Sequence, residues 1–146
     1  MGPIKIKQVD LIINSEDNLT MYEVWIKTSF SAAHRLRGYS GKCESLHGHN
    51  WVVEVSITCK NLNKMGLTID FSEVKTKLFE IIEKLDHKDL NDPLLVPFFK
   101  ERNPSAENIA YYIYQELKDK INSPGIKLSK VMIKESENSG VSYHEK

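Results

Sequence analysis

Strict alternation of apolar and polar side chains marks two long strands in the first half of the chain. From Tyr22 to His34, one parity carries Tyr22, Val24, Ile26, Phe30, Ala32 and His34, and the other carries Glu23, Lys27, Ser29 and Ser31. A period of two with one apolar parity predicts a half-buried strand. The pattern returns from about His47 to Cys59. There His47, His49, Trp51, Val53, Val55, Ile57 and Cys59 oppose Asn50, Glu54, Ser56 and Thr58. The period then lengthens. Asp70, three residues before Glu73, has capping-box spacing and opens a helix whose apolar stripe is Val74, Leu78, Ile81, Ile82 and Leu85. Ser105 caps a second helix with the stripe Ile109, Tyr112, Ile113, Leu117 and Ile121, which Asn122-Ser123-Pro124-Gly125 ends. Leu128 to Ser136 reads as a third strand and Gly140 to Glu145 as a short fourth. The order ββααββ predicts an α+β domain, with two helices on one face of an antiparallel sheet.

Residues 1–20 fit this scheme poorly. Ile4 to Ile13 has some strand character and Asn14 to Asn18 reads as a turn, so 1–20 is an appendage to a domain spanning 21–146. A chain of 146 residues suits one domain. Its 20 basic and 20 acidic residues leave no net charge, which argues against nucleic acid or an acidic membrane as partner. Two cysteines, no signal-like opening and no apolar run near the ~20 residues of a membrane span predict a soluble cytoplasmic protein.

Chemistry gathers at Cys43-Glu44-Ser45-Leu46-His47-Gly48-His49. On a strand, His47 and His49 face one side, with Gly48 between them allowing close approach. If the first two strands pair antiparallel, His34 joins them. Three imidazoles on one apolar face suit a divalent metal, and the lack of a fourth His or Cys at ligand spacing favours an open, catalytic site over a closed structural one. Each residue also has a plainer reading. A buried histidine usually serves the core, and most free cysteines are structural. Cys43 differs in lying on a Gly- and Lys-containing loop beside the predicted cation, which favours an exposed thiolate, whereas Cys59 continues an apolar face. Asp86-His87 is either a solvated pair or a carboxylate orienting a base. Glu135 is either a surface charge or a bidentate grip on an amidine-like edge.

Together these residues form a familiar set: Phe30-Ser31-Ala32-Ala33-His34-Arg35-Leu36, Cys43-x-x-x-His47-Gly48-His49, Gly66-x-x-Ile69-Asp70-Phe71, Leu85-Asp86-His87-x-x-Leu90-Asn91, Pro104-Ser105-x-Glu107-Asn108 and Lys134-Glu135-Ser136. In this order they resemble the 6-pyruvoyltetrahydropterin synthase family, and most closely its 6-carboxytetrahydropterin synthase branch of queuosine biosynthesis. The resemblance implies the tunnelling fold, a homohexamer built as a dimer of trimers, and zinc on His34, His47 and His49. It further implies Cys43 as the proton-abstracting base, Asp86 and His87 as a relay from a neighbouring subunit, and Glu135 as the anchor of the pterin. Glu107 matches a position near the pterin pocket. Ser105 stands where the family usually has Thr. Arg35, Arg37 and Lys42 are positional candidates for holding a triphosphate. Alternatives remain: a pyruvoyl product, a folate-branch enzyme using Glu44, a structural zinc domain, and a zinc hydrolase with Glu44 as base.

Overall fold

The computed structural model describes residues 21–146; the strand-like stretch at 4–13 falls outside them. Among these residues are five strands and two α-helices: β1 Tyr22–His34, β2 His47–Cys59, α1 Phe71–Ile82, β3 Lys88–Asp89, α2 Ala106–Ile121, β4 Ile126–Ser136 and β5 Ser139–Tyr143. They form one sheet in the order β3-β1-β2-β4-β5. The expected α+β architecture holds, with one addition. The two-residue β3 runs parallel to Ala32 and Ala33 at the edge of the sheet. A pairing this short leaves no periodic trace in sequence.

Burial follows the parity rule. Ile26, Phe30, Ala32 and His34 of β1, and Trp51, Val53, Val55, Ile57 and Cys59 of β2, are buried on one face. That face receives the stripes of both helices, including Val74, Leu78, Ile81, Ile109, Ile113 and Leu117. Leu85 lies past the end of α1 but is fully buried, so the apolar pattern outlasts the helix by a turn. The α2 helix is also tied to β4 by Tyr114, whose hydroxyl donates to the Leu128 carbonyl at 3.1 Å. Leu117→Ala would leave a hole in this layer, a change that costs about 2–5 kcal/mol in typical cores.

Helix capping departs from expectation in one detail. Asp70 accepts from the backbone N–H of Ser72 at 2.8 Å, but Glu73 does not complete a capping box, because it pairs with Lys77 one turn on. Ser105 caps α2 as expected, accepting from Asn108 N–H at 3.2 Å. Among the described residues, no helix is long and apolar enough to cross a membrane.

Candidate metal centre and active site

The β1–β2 register places His34 directly opposite His47, and Ala32 opposite His49. All three imidazoles therefore leave the sheet on its buried face. Their ring centroids lie 4.6–5.2 Å apart, and Trp51 forms the floor beneath His34 and His49 at 4.8 and 5.0 Å. Trp51 is itself held by its indole N–H, which donates to the Ala32 carbonyl at 3.3 Å.

Hydrogen bonding fixes which ring nitrogens carry protons. His34 Nδ1 lies 2.6 Å from the Pro104 carbonyl, and His47 Nδ1 lies 2.7 Å from the Ser45 carbonyl. A carbonyl only accepts, so both Nδ1 atoms donate. In the neutral rings, both Nε2 atoms are then bare lone pairs, yet they face each other at 3.1 Å. Two acceptors cannot satisfy one another, and a proton on the His34 side would charge a ring that is only 2% exposed. Burial pushes His34 below the ordinary imidazole range, against a partial lift from the Pro104 carbonyl, and His47 and His49 push it further down. Burial likewise lowers His49, although the Glu135 carboxylate opposes the shift. Near neutral pH these two rings are therefore neutral, the form that ligates metal.

The third donor is stranded more plainly. His49 Nε2 is buried and has no hydrogen bond of acceptable geometry, although Glu135 Oε1 is only 3.0 Å away. The short distance with poor alignment describes two groups aimed at a common point, not at each other. Leaving such an atom unmatched costs about 1–3 kcal/mol. One ligand atom from each of His34, His47, His49 and Glu135 falls within a mutual 4.8 Å. Zinc–nitrogen bonds of ~2.0–2.1 Å in tetrahedral geometry put ligand nitrogens about 3.3 Å apart, close to the His34–His47 spacing. The residues fit a divalent transition metal.

The nearness of Glu135 to the histidines is the feature that sequence reasoning missed. It shares the parity of the buried Val131 and Ile133, and the β4–β5 register slips between Lys134 and Ser136. Parity alone therefore pointed to the histidine face; only the alignment of β4 with β2 shows how far along it the carboxylate lies. The open three-histidine site expected from sequence thus has a carboxylate at its mouth. Gly140 closes the wall here, since a Cβ would meet the Ile133 carbonyl at 2.8 Å. Gly48 has no such constraint, because a Cβ there would find the Ala32 oxygen at an ordinary 3.7 Å.

Cys43 and Glu107 border the same cavity as His34 and Glu135, a space of about 200 Å³. The other expected site residues are elsewhere. Asp86 Oδ1 accepts from Ser31 N–H at 2.9 Å, and His87 N–H donates to the Ser31 carbonyl at 2.6 Å. The pair thus clamps both backbone groups of one β1 residue, three positions before His34. His87 adopts φ 57°, and among the described residues it is the one non-glycine with positive φ. Its ring is 82% exposed, with Nδ1 2.9 Å from Asp86 Oδ2. The bond from Ser31, with a smaller contribution from His87, holds the Asp86 carboxyl below its usual range. Asp86 and His87 do not border the His34 cavity within one chain.

Glu44 and Arg35 border a different hollow, with Asp89, Asn91 and Asp92. Arg37 does not offer its guanidinium to a ligand either. It donates to the carbonyls of Phe99, Lys100 and Arg102 and to the Asn103 side chain, which removes it from the positional candidates for a triphosphate. Cys59 is fully buried and burial raises its thiol, as a core cysteine requires.

Residues 23–146 match the family described as 6-pyruvoyl tetrahydropterin synthase. A protein of Archaeoglobus fulgidus, provisionally named a 6-carboxy-5,6,7,8-tetrahydropterin synthase, is 37% identical over 114 residues, covering 78% of this chain and 88% of that one. The 6-pyruvoyl tetrahydrobiopterin synthase of Dictyostelium discoideum is 35% identical over 127 residues, covering 78% and 89%. The solved structure of Caenorhabditis elegans 6-pyruvoyl tetrahydropterin synthase superposes with a TM-score of 0.76 at 29% identity, over 87% of this chain and 97% of that chain.

Proposed function

The chain belongs to the 6-pyruvoyl tetrahydropterin synthase family, and from that premise we propose that it is a zinc-dependent lyase. Its reaction takes 7,8-dihydroneopterin triphosphate and water to 6-carboxy-5,6,7,8-tetrahydropterin, triphosphate and acetaldehyde. The observation that carries this reading is one cavity bordered by His34, Cys43, Glu107 and Glu135, with His47 and His49 clustered against His34. When bound, zinc supplies a Lewis acid that polarises side-chain oxygens of the substrate and acidifies the neighbouring carbon. Cys43, on the border of that cavity, takes the carbon-bound proton in this reading. Asp86 holds His87 through Nδ1, which leaves the exposed Nε2 free to exchange a proton with substrate on a neighbouring chain.

Assembly follows from the incompleteness of one chain. A cavity of about 200 Å³ is smaller than the ~300–1,000 Å³ typical of ligand pockets. Among the described residues the outer edge of β1 is paired only at Ala32 and Ala33, with Ser31 held by Asp86 and His87, so the stretch from Tyr22 to Phe30 presents open hydrogen-bonding groups. A homohexamer of two stacked trimers, built from domains spanning 21–146 in the cytoplasm, would cover that edge and bring His87 to a neighbour's cavity.

Two features favour the carboxy product. Three residues separate Cys43 from His47, and Glu44 lies in the Arg35 hollow, away from the histidines. The second supports setting aside the folate-branch and Glu44-hydrolase readings. The pyruvoyl reading is kept because a relative of similar identity carries that name. Incubation with 7,8-dihydroneopterin triphosphate and mass spectrometry of the products tests all three branches. Acetaldehyde is expected; a retained three-carbon side chain or released glycolaldehyde would overturn the assignment.

Glu135 has two possible employers, the metal and the 2-amino-pyrimidinone edge of the pterin, and we assign it to the pterin. Its side chain is 34% exposed, which leaves part of the carboxylate free for a ligand. Glu135→Gln is then expected to keep its zinc and raise KM about 10–100-fold, the worth of a charged hydrogen bond at ~1.5–3 kcal/mol. Zinc loss on elemental analysis would make Glu135 a ligand instead.

A further inference from the structure

We infer that Arg37, acting through Asn103, positions the ligand His34; the inference rests on the reading of the histidine cluster as a metal centre. His34 is oriented by one bond, from Nδ1 to the Pro104 carbonyl at 2.6 Å. That carbonyl belongs to an irregular stretch between the single turn at Pro97–Phe99 and the start of α2 at Ala106. Such a segment has no ladder to fix its carbonyls, so something else must hold Pro104 where His34 needs it.

The Arg37 side chain supplies the hold. Its Nη1 donates to the Lys100 carbonyl at 2.9 Å, and Nη2 donates to the Phe99 carbonyl at 2.7 Å and to that of Arg102. Asn103 Oδ1 accepts from Arg37 backbone N–H at 2.8 Å and from Nε at 3.3 Å. In return, Asn103 Nδ2 donates to the Arg37 carbonyl at 3.1 Å. The Asn103 carbonyl accepts from Asn108 Nδ2 at 2.9 Å, which fastens it to the first turn of α2. Pro104 follows directly. The ring of His34 and the carbonyl it needs are thus two points on one closed circuit, β1 to Arg37 to Asn103 to Pro104 and back to His34.

Among the described residues Arg37 has no carboxylate partner within ion-pair distance. The planar fork is spent on three backbone carbonyls and the Asn103 side chain, a task that the single ammonium of lysine cannot reproduce. Partners that orient a ligand typically change metal affinity about 10–100-fold when removed.

Arg37→Ala is expected to weaken zinc about tenfold or more in competition with a chromophoric chelator, and Arg37→Lys to do nearly the same. In the zinc-free full chain, long-range nitrogen–proton NMR should show the His34 ring losing its fixed Nδ1–H tautomer. Ile57→Val, at the opposite end of β2, controls for a general loss of stability and should move neither readout. Asn103→Ala serves as a second variant if Arg37→Ala fails to fold. Zinc affinity within twofold of the wild type together with an intact His34 tautomer, despite a lowered Tm, would overturn the inference. If the wild type takes up no zinc, the metal reading fails by itself, and the zinc-free NMR comparison still decides whether Arg37 positions the ring.

Discussion

Cys43→Ala is expected to lower kcat about a thousandfold or more while zinc content stays at the wild-type level, the loss typical of removing a general base being ~10²–10⁴. The two readouts separate because Cys43 borders the cavity but is not in the His34–His47–His49–Glu135 cluster. Its side chain is also structurally dispensable. The local backbone is held by the Cys43 carbonyl, which accepts from Leu36 N–H at 2.8 Å, and by the turn bonds from Glu44 and Ser45 N–H. Losing the thiol from this partly exposed turn should change stability by less than about 0.5 kcal/mol. Cys43→Ser should be nearly as inactive, since a hydroxyl is a far weaker proton acceptor near neutral pH than a thiolate. Steady-state rates paired with elemental analysis check both variants. Normal turnover in Cys43→Ala would take the thiol out of the reaction.

Much of this arrangement is legible in the residues alone, and the reason is parity. His34, His47 and His49 continue the apolar parity of their strands, so one assumption about antiparallel pairing brought them together, and the register obliges with His34 opposite His47. The helical stripes were equally plain. What escaped depends on contacts between residues far apart in sequence. The two residues of β3 pair with β1 because the Asp86–His87 corner grips Ser31, and no local pattern announces that grip. The Glu135 position needs the β2–β4 alignment, which passes a bulge at Ser56 and Ile57 and ends at Val52 opposite Lys134, short of the histidines. Arg37 misled in the opposite direction. A basic residue on a glycine-containing loop suggests an anion site, but here the nearest acceptors are its own chain's carbonyls.

His47→Ala tests the metal centre itself, and its signature lies in the difference between zinc-free and zinc-loaded stability. In the zinc-free chain the His34 and His47 Nε2 atoms lie 3.1 Å apart, two opposed lone pairs when both rings are neutral. Removing one of two mismatched acceptors relieves that conflict, so the zinc-free Tm should hold or rise even though a partly buried ring is lost. With zinc at about 100 times Kd, the wild type gains about 2.7 kcal/mol, roughly 10 °C for a domain of this size. If about 10 kcal/mol of zinc binding is shared among three imidazoles, losing one costs about 3 kcal/mol, or roughly a hundredfold in Kd. At the same zinc concentration the variant then keeps a gain of only about 0.4 kcal/mol. Differential scanning with and without zinc, and metal analysis after desalting, read both quantities. A variant that keeps the wild-type shift and its zinc would mean that the 3.1 Å contact has no part in binding metal. A variant whose zinc-free Tm collapses would mean that His47 is there for the fold, through its bond to Ser45, and that the mismatch at Nε2 costs the protein little.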